Sequence, residues 1–448
     1  MEATDAVSMI NMIPRAGFVE SRRGFISHSF LGVSGPNSYA QSLFASQAAL
    51  YAAWAGEIYD VTTNAPFLVY ASGDLNATQW QTTGFRDLII CTCAEAVSAG
   101  PPGITIDPAG AVAGLVVTAP GLSGPFWGCN TFKGRAFYWQ KDARSFWYAQ
   151  AGSYQGTLTE FDLSTQIRTG GTLVMMLTWT IDAGDGVDDL AVFLFSTGEA
   201  IVYQGDDPGN AQQWRSNGRF QIGEPLGIRA HAKVGGTEII LTKDGYVDLG
   251  AALADGRYSE KSTYSNKIIS AAKQAATSFG SLFGWECVLY PAGNLFIVNV
   301  PNSVTKLFED AAGNAYYAIE SVQHARNTST GSWCQFKGLN ATCFCVFRDT
   351  LYFLTGNTVM RADIATSDNG QPIQIECVPA FNHLGTKARR KQVTAASHVT
   401  NFSQPGYLVK DGMADYNVRF GNYVPISPYQ GVKAKWNLSK WNIGKWEI

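Results

Sequence analysis

The chain has 448 residues, is rich in Gly (46) and in aromatics (25 Phe, 19 Tyr, 12 Trp), and carries only 15 % charged residues and a formal net charge of −3. Ample hydrophobicity with little charge excludes a disordered chain, the weight on Gly and aromatics excludes a coiled coil or helical solenoid, and the total charge excludes a globally basic nucleic-acid binder. What remains is a turn-rich, mainly β protein, either two lobes or one large β architecture, with much of its surface expected to be covered by other subunits.

In chain order, Ala6–Pro14 reads as a short helix stopped before Pro14, because a proline disfavours helix in the residue preceding it. The first hairpin runs from Leu50 to Val61, and Leu88–Cys93 is a further strand candidate. Ala96–Asn130 is long and poor in charge, but five prolines (Pro101, Pro102, Pro108, Pro120, Pro125) make it loop and strand rather than a membrane span. Further hairpins are expected at Arg135–Tyr148 around Lys141-Asp142, Leu190–Tyr203 around Gly198, and Glu238–Val247 at Asp244-Gly245. Two more are expected at Val288–Val298 around Gly293-Asn294 and Thr350–Met360 around Gly356-Asn357. Ser265–Thr277 is the one good helix, with Ile268, Ala272 and Ala275 at helical spacing and Gly280 just past its end.

Hairpins recurring at roughly 45–60 residues, with strands apolar on both faces such as Leu190–Phe195, predict a β-propeller of six or seven blades. A double β-sandwich is the rival fold. The eight cysteines are expected to be reduced and mostly buried, since Cys-x-Cys on a strand puts both thiols on one face and no metal spacing accompanies them. The chain does not open with a basic and then apolar stretch, so secretion by a signal peptide is not expected.

No catalytic, cofactor-binding or metal-binding residue is expected. The phosphate-cradling, nucleophile-elbow and zinc-protease motifs are all missing, and His28, His231, His324, His383 and His398 are dispersed. Asp182–Asp189 gathers four carboxylates beside two glycines, but it departs from the helix–loop–helix calcium pattern and reads better as a solvated turn. A propeller glycosidase would need paired carboxylates at its centre, and a glycan binder would need exposed aromatics; both stay open as alternatives.

Charge is unevenly placed. From His383 to Ile448 there are ten Lys or Arg against three acids, leaving 23 basic and 33 acidic residues in the remainder. Within that basic stretch, Lys387, Arg389, Arg390 and Lys391 form a cluster, and Trp436, Trp441 and Trp446 recur beside lysines. Each such Trp is suited to anchoring a contact with another surface, or to packing the tail on its own subunit.

Several segments in order along the chain resemble the tail nozzle proteins of short-tailed bacteriophages, also called tail tubular or head-to-tail hub proteins. These are Ala6–Gly24, Phe132–Tyr148, Asp189–Gly205 with Asp207-Pro208, Gly284–Pro291 with Val298–Pro301, Thr330–Cys334, Leu351–Phe353 to Asp363, and the terminal Trp repeat. Two departures accompany the match: the family's opening usually lies further from the start, leaving room for a leader before Met1, and 94–125 is unusually rich in Gly and Pro. The resemblance implies a virion protein, assembled in the host cytoplasm, that forms a six-fold ring below the portal and its adaptor and retains and conducts double-stranded DNA. Tail fibres or spikes would be further partners. It also implies a platform built from both chain ends, at 1–35 and 376–448, flanking a propeller at 36–375. The basic cluster would then dock on the adaptor or touch DNA, with docking preferred, and the three Trp would anchor an interface.

Overall fold

The computed structural model describes residues 6–33, 35, 38–95, 100–182, 187–254, 263–310 and 313–380. The chain divides into two compact units, Ser8–Cys377 and a second made of Met1–Val7 with Val378–Ile448. Nearly all of the second unit lies outside the described residues.

The first unit is a seven-bladed β-propeller. Blades 1 to 4 each have four antiparallel strands, beginning on the inside with Ser42–Ala45, Gln81–Phe85, Gly128–Phe132 and Leu173–Asp182. Blade 5 has three among the described residues, His231–Val234, Thr237–Thr242 and Gly245–Asp248. Blade 6 begins at Glu286–Tyr290, and its next two strands, Leu295–Glu309 and Ala315–Asn327, run on beyond the blade as an arm. Blade 7 comprises Cys343–Phe347, Thr350–Thr355 and Thr358–Ala365, and is completed by Gly24–Phe30 from the start of the chain.

All six expected hairpins are present at their expected turns. Asp142 and Asn294 take the left-handed backbone that tight turns require (φ 61° and 53°). Gly198 shows why one turn tolerates no side chain: at φ +80°, an added Cβ would sit 2.3 Å from the Gly223 carbonyl carbon.

Strand composition follows from where the core lies. Among the described residues, six apolar clusters sit between successive blades rather than in one centre. The inner and middle strands therefore bury both faces, and Leu190–Phe195 is at most 1 % exposed, whereas an outer strand such as Arg215–Gln221 is mostly exposed. Between blades 3 and 4 the filling is largely aromatic. Phe146 stacks on Phe193 at 4.5 Å and Tyr203 on Trp214 at 5.1 Å between ring centroids. All eight cysteines are free, with Cys91 and Cys93 both buried on one side of blade 2 against blade 1.

The expected helix forms as a short 3-10 turn, Asn266–Ile268, continuing into Ile269–Phe279. It stands beside Gly245–Asp248, the outer of the described blade 5 strands, burying Ala272 and Ala276 against blades 5 and 6. Buried Ser265 accepts the Tyr246 N–H of the neighbouring strand at 3.0 Å.

Two expectations fail at the N-terminus. Ala6–Pro14 is not helical: Ala6–Ile10 is a strand, and Met12–Arg15 pairs with Phe18–Ser21. Ile10 pairs in parallel with Gln335 of blade 6, and Asn11, at φ 54°, breaks the run. Backbone partners more than 300 residues away outweigh local helix preference. The expected platform segment 1–35 is also too long, because Gly24–Phe30 supplies the outermost strand of blade 7, with Arg361 opposite Ile26.

Candidate functional site

The expected contact residues Lys387, Arg389, Arg390, Lys391, Trp436, Trp441 and Trp446 lie outside the described residues, as do His383 and His398. So does 183–186 of the acidic turn; of its flanks, Asp189 accepts a bond from Thr180 Oγ1 at 2.9 Å. Among the described residues, no group of three or more His, Cys, Asp or Glu is arranged to hold a metal. His28 Nε2 lies 2.9 Å from the Val61 carbonyl, and His324 Nδ1 lies 2.8 Å from Tyr246 Oη.

Inner strands bring together a cluster that sequence reasoning missed, at the end of the propeller axis where those strands begin. Arg229, just before the inner strand of blade 5, reaches across to blades 1 and 2. Its Nη1 donates to the Gln41 carbonyl at 2.6 Å, and its Nη2 to Ser42 Oγ at 2.6 Å and the Trp80 carbonyl at 2.9 Å. The guanidinium also lies 5.6 Å over the Phe283 ring. One side chain thereby ties three blades at that mouth.

Beside it, half-buried Glu286 of blade 6 accepts the Phe344 N–H of blade 7 at 3.1 Å. Burial pushes the Glu286 carboxyl up to about 7, against the pull of Arg229, that N–H and His231. His231 Nδ1 in turn lies 3.4 Å from Glu238 Oε2 on the next strand. The group can hold a position and exchange a proton near neutrality. Nothing local marks Arg229 or Glu286 in the sequence; only ring closure makes neighbours of blades 5, 6, 7, 1 and 2.

At the opposite mouth, where inner strands end, a device recurs in three blades. Phe85-Arg86, Phe132-Lys133 and Phe347-Arg348 each place a cation in left-handed backbone (φ 55°, 44° and 47°) over the preceding ring. The cation-to-centroid distances are 5.5, 5.6 and 4.7 Å. Arg86 Nη2 donates to the Gly152 carbonyl at 3.0 Å, and Arg348 Nη2 to the Ala48 carbonyl at 2.9 Å. The aromatic–cation dipeptide at each inner strand end was a readable signal.

No family model matches the chain, and no curated protein does. Solved structures similar to it include YCF48 bound to a D1 peptide, at 10 % identity and TM-score 0.39, covering 78 % of this chain and 97 % of that one. An auxiliary nutrient binding protein from Bacteroides thetaiotaomicron gives 9 % identity and TM-score 0.37, covering 77 % and 78 %. The Cps50 (Swd1) β-propeller domain of Myceliophteria thermophila gives 9 % identity and TM-score 0.37, covering 75 % and 100 %.

Proposed function

We propose that the protein is a structural component of a short-tailed phage virion, a homohexameric tail nozzle that retains the genome and conducts it at ejection. The observation that carries this reading is the ordered series of family-like segments running from Ala6–Gly24 to the terminal Trp repeat. In the propeller, two of the longest, Phe132–Tyr148 and Asp189–Gly205, form adjoining strands of blades 3 and 4 and supply their shared aromatic core.

The distribution of charge supports the same reading. A wall dense in Lys and Arg would neutralise phosphates and hold DNA tightly, whereas the part of the chain before His383 has an excess of acid. Arg229 spans one mouth of the propeller axis, and the conduit in this reading is the opening of the ring between subunits. The basic stretch would dock on the adaptor through Lys387, Arg389, Arg390 and Lys391, with the Trp repeat anchoring an interface.

Electron microscopy of the purified full chain tests the proposal: six-fold rings are expected, and a monomer with hydrolase activity would sink it. The competing reading, a propeller that cleaves or binds host polysaccharide, has one observation in its favour. The Glu286 carboxyl, held near neutrality at the axial mouth, has the acidity of a general acid. Polysaccharide hydrolysis abolished by Glu286→Gln would establish it.

A further inference from the structure

Blades 2 and 3 present their inner-strand turns side by side and leave between them a cleft of 220 Å³. Its lining includes Arg86, Lys133, Thr131 and the backbone of Gly84, Gly134 and Gly152, and contains no carboxylate. Neither cation forms an ion pair among the described residues. Each is seated on its own phenylalanine ring, at 5.5 Å for Arg86 and 5.6 Å for Lys133. An aromatic seat positions a cation without neutralising it, as an acidic partner would.

The cleft is also held in shape and kept open. Thr131 Oγ1 donates to the Gly84 carbonyl at 3.1 Å, fixing one blade against the other. A Cβ built on Gly84 or Gly134 would meet no atom within 4 Å, so the glycine backbone faces open space. Arg86 spends one Nη2 bond on Gly152, which fixes its plane and leaves its other N–H donors for a ligand. Two cations lining one cleft repel each other, and an anion between them turns that repulsion into attraction.

We propose that this cleft binds a phosphate group, taken by the Arg86 guanidinium fork with Lys133 as a second point charge. The phosphate comes from a free ion or from the backbone of DNA. The proposal does not depend on the nozzle reading, because it rests on the cleft alone. Blade 7 supplies an internal control. Arg348 sits on the same kind of seat, but the matching turn of blade 1, at 46–49, carries no cation.

The test uses the full chain at low ionic strength, with inorganic phosphate followed by calorimetry and a short DNA duplex by fluorescence anisotropy. Saturable phosphate binding is expected, weakened about tenfold or more in Arg86→Gln/Lys133→Gln and unchanged in Arg348→Gln. Both altered residues are exposed on turns, so the double variant should melt with the wild type. Duplex binding that the double variant also weakens, and that phosphate competes away, identifies backbone phosphate as a source. Duplex binding indifferent to the variant, alongside variant-sensitive phosphate binding, identifies the free ion. The proposal is overturned if phosphate fails to saturate below about 1 mM while duplex binding ignores the double variant, or if the double variant binds both as the wild type does.

Discussion

At His324, burial decides chemistry. The ring is 6 % exposed, its Nδ1 meets Tyr246 Oη, and burial holds its pKa down to about 4 from an ordinary 6.5. Between those values the unfolded histidine is protonated and the folded one is not. The unfolded state therefore binds more protons, and stability is lost as pH falls through that window, by up to about 1 kcal/mol per pH unit. In denaturant melts from pH 7 to 4 this contribution is read as the difference in slope between the wild type and His324→Gln. Glu286 works in the opposite sense. Its carboxyl is raised from 4.5 to about 7, so the folded state keeps a proton that the unfolded state has lost. Its contribution declines as pH rises through that interval, opposing that of His324, and Glu286→Gln should remove it, leaving the His324 slope exposed. The thiols follow the same logic: burial pushes Cys129 up to about 12 and Cys91, Cys287 and Cys343 well above the ordinary thiol range. A maleimide applied to native protein should modify exposed Cys377 first and the six buried thiols only after denaturation, as mass spectrometry would read.

Among the elements, the closing strand Gly24–Phe30 depends most on what lies next to it. Arg22, immediately upstream, donates to both Asp368 oxygens, at 2.7 and 2.5 Å, to Asn11 Oδ1 at 2.8 Å and to the Lys337 carbonyl at 2.8 Å. Its side chain is 4 % exposed and that of Asp368 11 %. Removing the guanidinium strands a buried carboxylate, so Arg22→Ala should cost about 3–5 kcal/mol, measured by chemical denaturation. Arg22→Lys should recover little, since an ammonium cannot reproduce the paired geometry. Hairpins were legible in the sequence because their signals are local, as with Asp244-Gly245 between two apolar runs. The strand at Ala6–Ile10 was not, because what makes it a strand is Gln335 and its neighbours, far along the chain. The helix at Ile269–Phe279 was legible, but its place between blades 5 and 6 was not.

For the molecule as a whole, composition anticipated the architecture well. Gly serves the turns, and the aromatics fill spaces between blades, where both faces of a strand are buried. The axial cluster was invisible for a geometric reason: Arg229, Glu286 and Ser42 are neighbours only once seven blades have closed into a ring. Arg229→Ala should therefore lower the melting temperature of the entire propeller and not of one blade, with calorimetry still showing a single transition. The nozzle reading makes its own prediction at this scale. Reversing Lys387, Arg389, Arg390 and Lys391 to glutamate should abolish incorporation into particles; normal assembly with slowed ejection would instead mark a DNA contact.

The seventh blade has a consequence for the timing of biosynthesis. Gly24–Phe30 emerges from the ribosome early, yet the strand it must join, Thr358–Ala365, is made more than 300 residues later. At 5–20 residues per second that interval is about 15–70 s. Throughout it, one apolar strand has an unpaired edge and the growing arc of blades has two open flanks, which is the condition that invites association between nascent chains. A circular permutant beginning at blade 1 and ending with 24–30 would put both partners of the last pairing on one late stretch of chain. It should yield more soluble protein at high expression than the natural order does.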